Sequence, residues 1–98
     1  MNLEQLKTIV DSDHADIVDY LMCLMEEAGE ISRTILENKG VKKKKNRQTL
    51  KHEVVDAILC SLGLYLKVAG SFDEDFTRIT DEKMKKWENR LKIVKKVD

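Results

Sequence analysis

The stretch Glu53-Val54-Val55-Asp56-Ala57-Ile58-Leu59-Cys60-Ser61-Leu62-Gly63-Leu64-Tyr65-Leu66 decides the fold. Its apolar side chains point all round a helix, and a helix of that kind is buried by its neighbours. Its only charged members are Glu53 and Asp56, three residues apart and so on one face. Ionised carboxylates in such a setting are costly unless something positive compensates them. The expectation is a central helix from about Thr49 to Ala69, stopped by Gly70, that carries two acids inward.

Working outward, the periodicity gives three more helices. A long one ends near Glu37, with Asn38-Lys39-Gly40 as its stop. Its stripe Ile17, Leu21, Leu24, Met25, Ala28, Ile31, Ile35 has the 3-and-4 spacing of one buried face. A short helix, about Asn2 to Val10, precedes it, and the break at Asp11-Ser12-Asp13 offers several N-caps. On the other side, Ser71-Phe72-Asp73-Glu74 reads as a capping box. It opens a fourth helix with Phe76, Ile79, Trp87, Leu91 and Val94 on one side. Proline is absent and glycine occurs four times in 98 residues, which favours helices over a turn-rich β fold. The class expected is all-α, a single domain over residues 1–98 built as an antiparallel four-helix bundle. So small a bundle struggles to cover a helix apolar all round, so oligomerisation is expected to complete it.

The charges come in blocks. Residues 1–38 carry nine acids and two bases, 39–52 seven bases and no acid, 53–82 seven acids and two bases, and 83–98 seven bases and two acids. The total is 18 of each sign, a formal net charge of zero. That balance argues against a general nucleic-acid binder, which needs a continuous basic face. The longest uncharged run, Ala57 to Leu66, is 10 residues, against the roughly 20 a membrane helix needs. Glu4 and Lys7 break any signal-peptide pattern at the start, so a cytoplasmic protein is expected. Cys23 and Cys60 match no metal spacing and read as buried thiols in a reducing compartment.

The second helix repeats the acid spacing. Glu27 and Glu30 are three apart and flank the apolar stripe, and Glu26 lies on the far side of Glu30 from Glu27. Two antiparallel helices can set Glu27/Glu30 against Glu53/Asp56. Four carboxylates from two helices suit a hard cation, Mg²⁺ or Mn²⁺. A solvated acidic face, or pairing with lysines, is the alternative for either pair alone. Lys83 falls on the apolar stripe of the fourth helix, between Ile79 and Trp87. The run Lys42–Lys45 with Arg47 reads as a basic loop, and His14 and His52 as structural or exposed.

Glu26-Glu27-Ala28-Gly29-Glu30 fits a Glu-Glu-x-x-Glu motif, and Glu53-Val54-Val55-Asp56 fits the Glu-x-x-Asp that follows it after a variable gap. Asp81 to Arg90 is similar to a basic fourth-helix segment. On these motifs, from about Ala15 to Arg90, the chain resembles MazG-like nucleoside triphosphate pyrophosphohydrolases of the all-α NTP pyrophosphatase superfamily. The resemblance implies a MazG fold, a homodimer or homotetramer, and cleavage of an NTP or dNTP to the monophosphate and pyrophosphate. It makes Glu27, Glu30, Glu53 and Asp56 the Mg²⁺ ligands, with Glu26 a further ligand, an outer group or one that orients water. Lys83 and, more weakly, Arg90 would hold the phosphates. Trp87 would stack on the base, or serve the core or a subunit interface. Cys60 and Trp87 stand where dCTP-specific relatives carry an aromatic residue and an asparagine, which leaves the base open. The rivals are a phosphoribosyl-ATP pyrophosphohydrolase-like enzyme and a non-catalytic helical module binding nucleotides or a protein.

Overall fold

A computed structural model describes residues 1–43 and 49–97, with side chains through Lys92. Lys44, Lys45 and Arg47 of the basic loop, and the side chain of Val94, lie outside the described residues. The described chain is all-helical: α1 Leu3–Ser12, α2 Ile17–Asn38, α3 Leu50–Ala69 and α4 Glu74–Val97.

Side-chain caps fix the helix starts. Asn2 accepts from the Gln5 N–H at 2.9 Å and opens α1. Asp16 and Asp19 each accept the other's backbone N–H at 3.0 Å, a reciprocal box that opens α2. The break therefore falls at residues 13–16, later than the expected Asp11–Asp13, and α1 runs on through Ser12. Thr49 caps α3, its hydroxyl 2.6 Å from His52 Nδ1, so His52 serves the helix start. Gly70, at φ 84°, ends α3 in the left-handed region that glycine enters without steric cost. The cap of α4 differs from the expected Ser71: Asp73 accepts the Phe76 N–H at 3.0 Å. The Tyr65 hydroxyl donates to the same Asp73 oxygen at 2.7 Å and holds that carboxylate in place.

α2 and α3 form an antiparallel hairpin, and α1 packs on α3. Successive rungs set the register. Lys67 Nζ lies 5.7 Å from the centroid of the Tyr20 ring. Tyr20 also lies against Gly63. Cys23 Sγ is 2.8 Å from Cys60 Sγ, and Glu27 meets Asp56 and Glu53. As α2 advances, its partners on α3 retreat.

α4 meets the rest through its first turn, where Phe76 packs edge-on to Tyr65 and Phe72 at 4.9 and 5.0 Å. Beyond that turn it runs alongside none of the other helices among the described residues. The radius of gyration is 17.0 Å, against about 13 Å for a compact chain of this length. A single chain thus supplies a three-helix layer and a projecting arm.

The inward face of α2 takes in only part of the apolar stripe. Leu24 and Ile31 of the stripe are half-buried, as is Leu36, but Tyr20, Cys23, Glu27, Glu30, Thr34 and Glu37 are buried or half-buried as well. Ile17, Leu21, Met25 and Ile35 of the stripe are 38–61% exposed. On α3, Val54, Val55, Ile58 and Leu59 are exposed, so the helix apolar all round is not buried within one chain. Val10 and Leu66 are the fully buried apolar residues among those described.

Candidate metal centre

The seam of the hairpin has an unusual composition. On α3 the residues facing α2 are Glu53, Asp56, Cys60, Gly63 and Lys67, spaced three and four apart. The same spacing on α2 turns Glu27 toward them. One carboxylate oxygen from each of Glu27, Glu53 and Asp56 can be chosen so that all three lie within 4.8 Å of one another. Glu53 is 2% exposed, and Glu27 and Asp56 are half-buried.

These anions are felt electrostatically. Burial, then the charges of Asp56, Glu53, Glu26 and Glu30, raise the Glu27 carboxyl above the ordinary carboxylate range. Glu26 and Glu30 thus add to the local negative field without belonging to the trio. Glu30 lies half-buried one turn beyond Glu27, with Arg33 at 4.0 Å. Glu26 is exposed.

The donor set fits a hard divalent cation. Ligand oxygens of one octahedral Mg²⁺ lie about 3 Å apart when adjacent and about 4 Å when opposite. The trio falls near that range, and it consists of hard oxygen donors alone. Asp56 also lines an open groove with Thr49, Lys51, His52 and Val55. A second pocket, lined by Arg33, Glu37, Lys42 and Lys43, sits at the loop end of the same α2 face.

The basic candidates are elsewhere. Lys83, Trp87 and Arg90 lie on the free part of α4, all exposed, and the chain's own fold does not bring them to the acidic seam. Sequence reasoning overlooked Tyr20, Gly63, Thr34 and Glu37 as seam residues. Thr34 and Glu37 continue the three-and-four spacing of Glu27 and Glu30, the signal by which they could have been found. Compared with known proteins, the chain matches no family profile, no curated protein and no solved structure. No helix among the described residues is long and apolar enough to cross a membrane.

Proposed function

We propose that the chain is a Mg²⁺-dependent nucleoside triphosphate pyrophosphohydrolase with a nucleotide-pool housecleaning role. It would convert an NTP or dNTP to the monophosphate and pyrophosphate as a homodimer or homotetramer. The carrying observation is the carboxylate trio Glu27, Glu53 and Asp56, gathered in a helical seam with Glu53 almost fully buried. An acidic site repels a triphosphate unless a cation mediates between them.

Glu27, Glu53 and Asp56 would hold the Mg²⁺, or Mn²⁺, with Glu30 completing the set from the next turn. When bound, the ion offsets phosphate charge and eases deprotonation of a water. Glu26, exposed beside Glu27, would be a further ligand, an outer group or the one that orients the attacking water. That water adds to the α-phosphorus as the bond to the β-phosphate oxygen breaks. Lys83 and Arg90 would grip the phosphates and Trp87 would stack on the base. Because α4 stands clear of its own hairpin, these would come from a second copy.

Surface area supports the second copy. The chain exposes 8043 Å², roughly 2,200 Å² more than the about 5,800 Å² of a compact monomer of this mass. A standard interface needs about 800 Å² from each partner.

The test is pyrophosphate release from a panel of NTPs, dNTPs and phosphoribosyl-ATP with Mg²⁺, beside a Glu53→Gln/Asp56→Asn double variant. Metal-dependent release that the double variant lacks is expected. Release from phosphoribosyl-ATP alone would move the assignment to that linkage. No release from folded protein in Mg²⁺ or Mn²⁺ would replace the enzyme with a non-catalytic helical binding module.

A further inference from the structure

The seam holds a second pair of chemically active groups that the proposed hydrolysis does not use. Cys23 on α2 and Cys60 on α3 are both free thiols, both half-buried, with their sulfurs 2.8 Å apart. Each lies one helical turn from an acid of the trio: Cys23 four residues before Glu27, Cys60 four after Asp56. The rung on the other side is Tyr20 against Gly63, where the missing side chain lets the helices approach closely. The two sulfurs are therefore held together by packing above and below them.

We propose that Cys23 and Cys60 form a redox-active dithiol that hydrogen peroxide converts to an intrachain disulfide, clamping α2 to α3 one turn from the acidic cluster. One thiol attacks the peroxide, breaking its O–O bond to leave a sulfenic acid and one water. The second thiol displaces the hydroxyl as a second water and closes the S–S bond. Two thiols lose two hydrogens and two electrons, and one hydrogen peroxide is reduced. The sulfurs already stand 2.8 Å apart, and a thiol reductant reverses the step. The two sulfurs are not equivalent. Burial first, then the Cys23 thiol and the nearby Glu27 and Asp56 charges, push the Cys60 thiol up to about 12. The proposal is independent of the pyrophosphohydrolase reading.

The experiment treats the full chain with hydrogen peroxide, blocks remaining thiols with an alkylating reagent, and reads intact mass and thermal unfolding. The expected product is a single chain lighter by two hydrogens, unreactive to alkylation and restored by dithiothreitol. The bond joins residues 37 apart, so Tm should rise on the order of 10 °C or more and fall back with reductant. Cys23→Ser and Cys60→Ser should each lose both effects. Two alkylatable thiols in folded, peroxide-treated protein would overturn the proposal. So would crosslinks solely between chains, or overoxidation of one sulfur with its partner still a thiol.

Discussion

Replacing Gly63 by alanine probes the rung on which the whole seam is registered. Two effects oppose each other. Alanine in a helix interior is favoured over glycine by about 1 kcal/mol. Against this, a Cβ on Gly63 would stand 2.5 Å from Tyr20 Cε1 and 2.9 Å from Cδ1. Both distances are well inside van der Waals contact, so the ring or a helix has to move. The Tyr20 ring has little freedom to do so. Its hydroxyl donates to Asp13 at 2.8 Å, and Lys67, which covers its face, donates to the Asp13 carbonyl at 2.7 Å. Overpacking of this kind costs about 1–3 kcal/mol. The sum lies between about zero and 2 kcal/mol of destabilisation. Gly29 is the internal control, since a Cβ there meets nothing within 4 Å. Gly29→Ala should keep the full propensity gain. Urea unfolding of both variants should separate them by about 1–3 kcal/mol, with Gly63→Ala the less stable. Tyr20→Ala in the Gly63→Ala background should cancel the steric share in a double-mutant cycle. If Gly63→Ala stabilises as much as Gly29→Ala, Tyr20 does not lie on Gly63. The register that aligns Cys23 with Cys60 and Glu27 with Asp56 would then be wrong.

Other consequences can be measured directly. The raised Glu27 carboxyl is easier to protonate in the folded chain than in the unfolded one. Its penalty is therefore absent below the ordinary value of 4.5 and grows as pH rises through and above it. Glu27→Gln should raise the Tm of chelator-treated protein at pH 7, and the gain should vanish on acidification below about 4.5. Mg²⁺ at neutral pH should raise the Tm of the wild type and do so far less for Glu53→Gln/Asp56→Asn, as read by thermal scans with and without chelator. Tyr65 and Tyr20 are both pushed up to about 12. The first cause is the Asp73 hydrogen bond for Tyr65 and burial for Tyr20. Asp73→Asn should bring one tyrosinate titration down toward 10.0, and Asp13→Asn should move the other less, by ultraviolet pH titration. Leu21→Glu/Met25→Glu, on the exposed α2 stripe, should shift light-scattering mass toward the single chain.

The helices were legible because their signals are local. Caps, glycine stops and 3-and-4 spacing lie within a few residues of one another, and the boundaries moved little. The choice between Ser71 and Asp73 as the α4 cap was not legible. Both side chains can cap, and what selects Asp73 is the hydroxyl of Tyr65 one element away. Glu53 and Asp56 stood out because the surrounding residues leave no polar face for them, and Glu27 joins them in the seam, whereas Glu30, paired with Glu27 by spacing, lies outside the trio. The facing of α2 was misread for a physical reason. Hydrophobic periodicity says that a stripe is to be covered, but not by which surface. In the chain, α3 takes the Tyr20, Cys23, Glu27 face and leaves Leu21 and Met25 to solvent. The Cys23–Cys60 rung depends on antiparallel register across 37 residues, which no spacing rule encodes.

That facing places two demands on the isolated chain, and they differ in kind. Turning Glu27, Glu53 and Asp56 into the seam places like charges together where water is scarce, and the Glu27 carboxyl is raised accordingly. Turning Leu21, Met25, Val55 and Ile58 outward leaves apolar surface exposed, with each side chain more than 40% accessible. Charged groups cost least in solvent and apolar side chains cost least when covered. The observed packing instead fits a protein whose stability is shared with what it binds. The proposed cation would answer the first by supplying opposite charge among the carboxylates. The proposed second copy would answer the second by covering the exposed part of the stripe. On the proposed reading the two would be linked, because covering the hairpin would lower the dielectric around the seam and sharpen the repulsion among its carboxylates. Under the proposed function, cation binding and association would then favour one another by the reciprocity of linked equilibria.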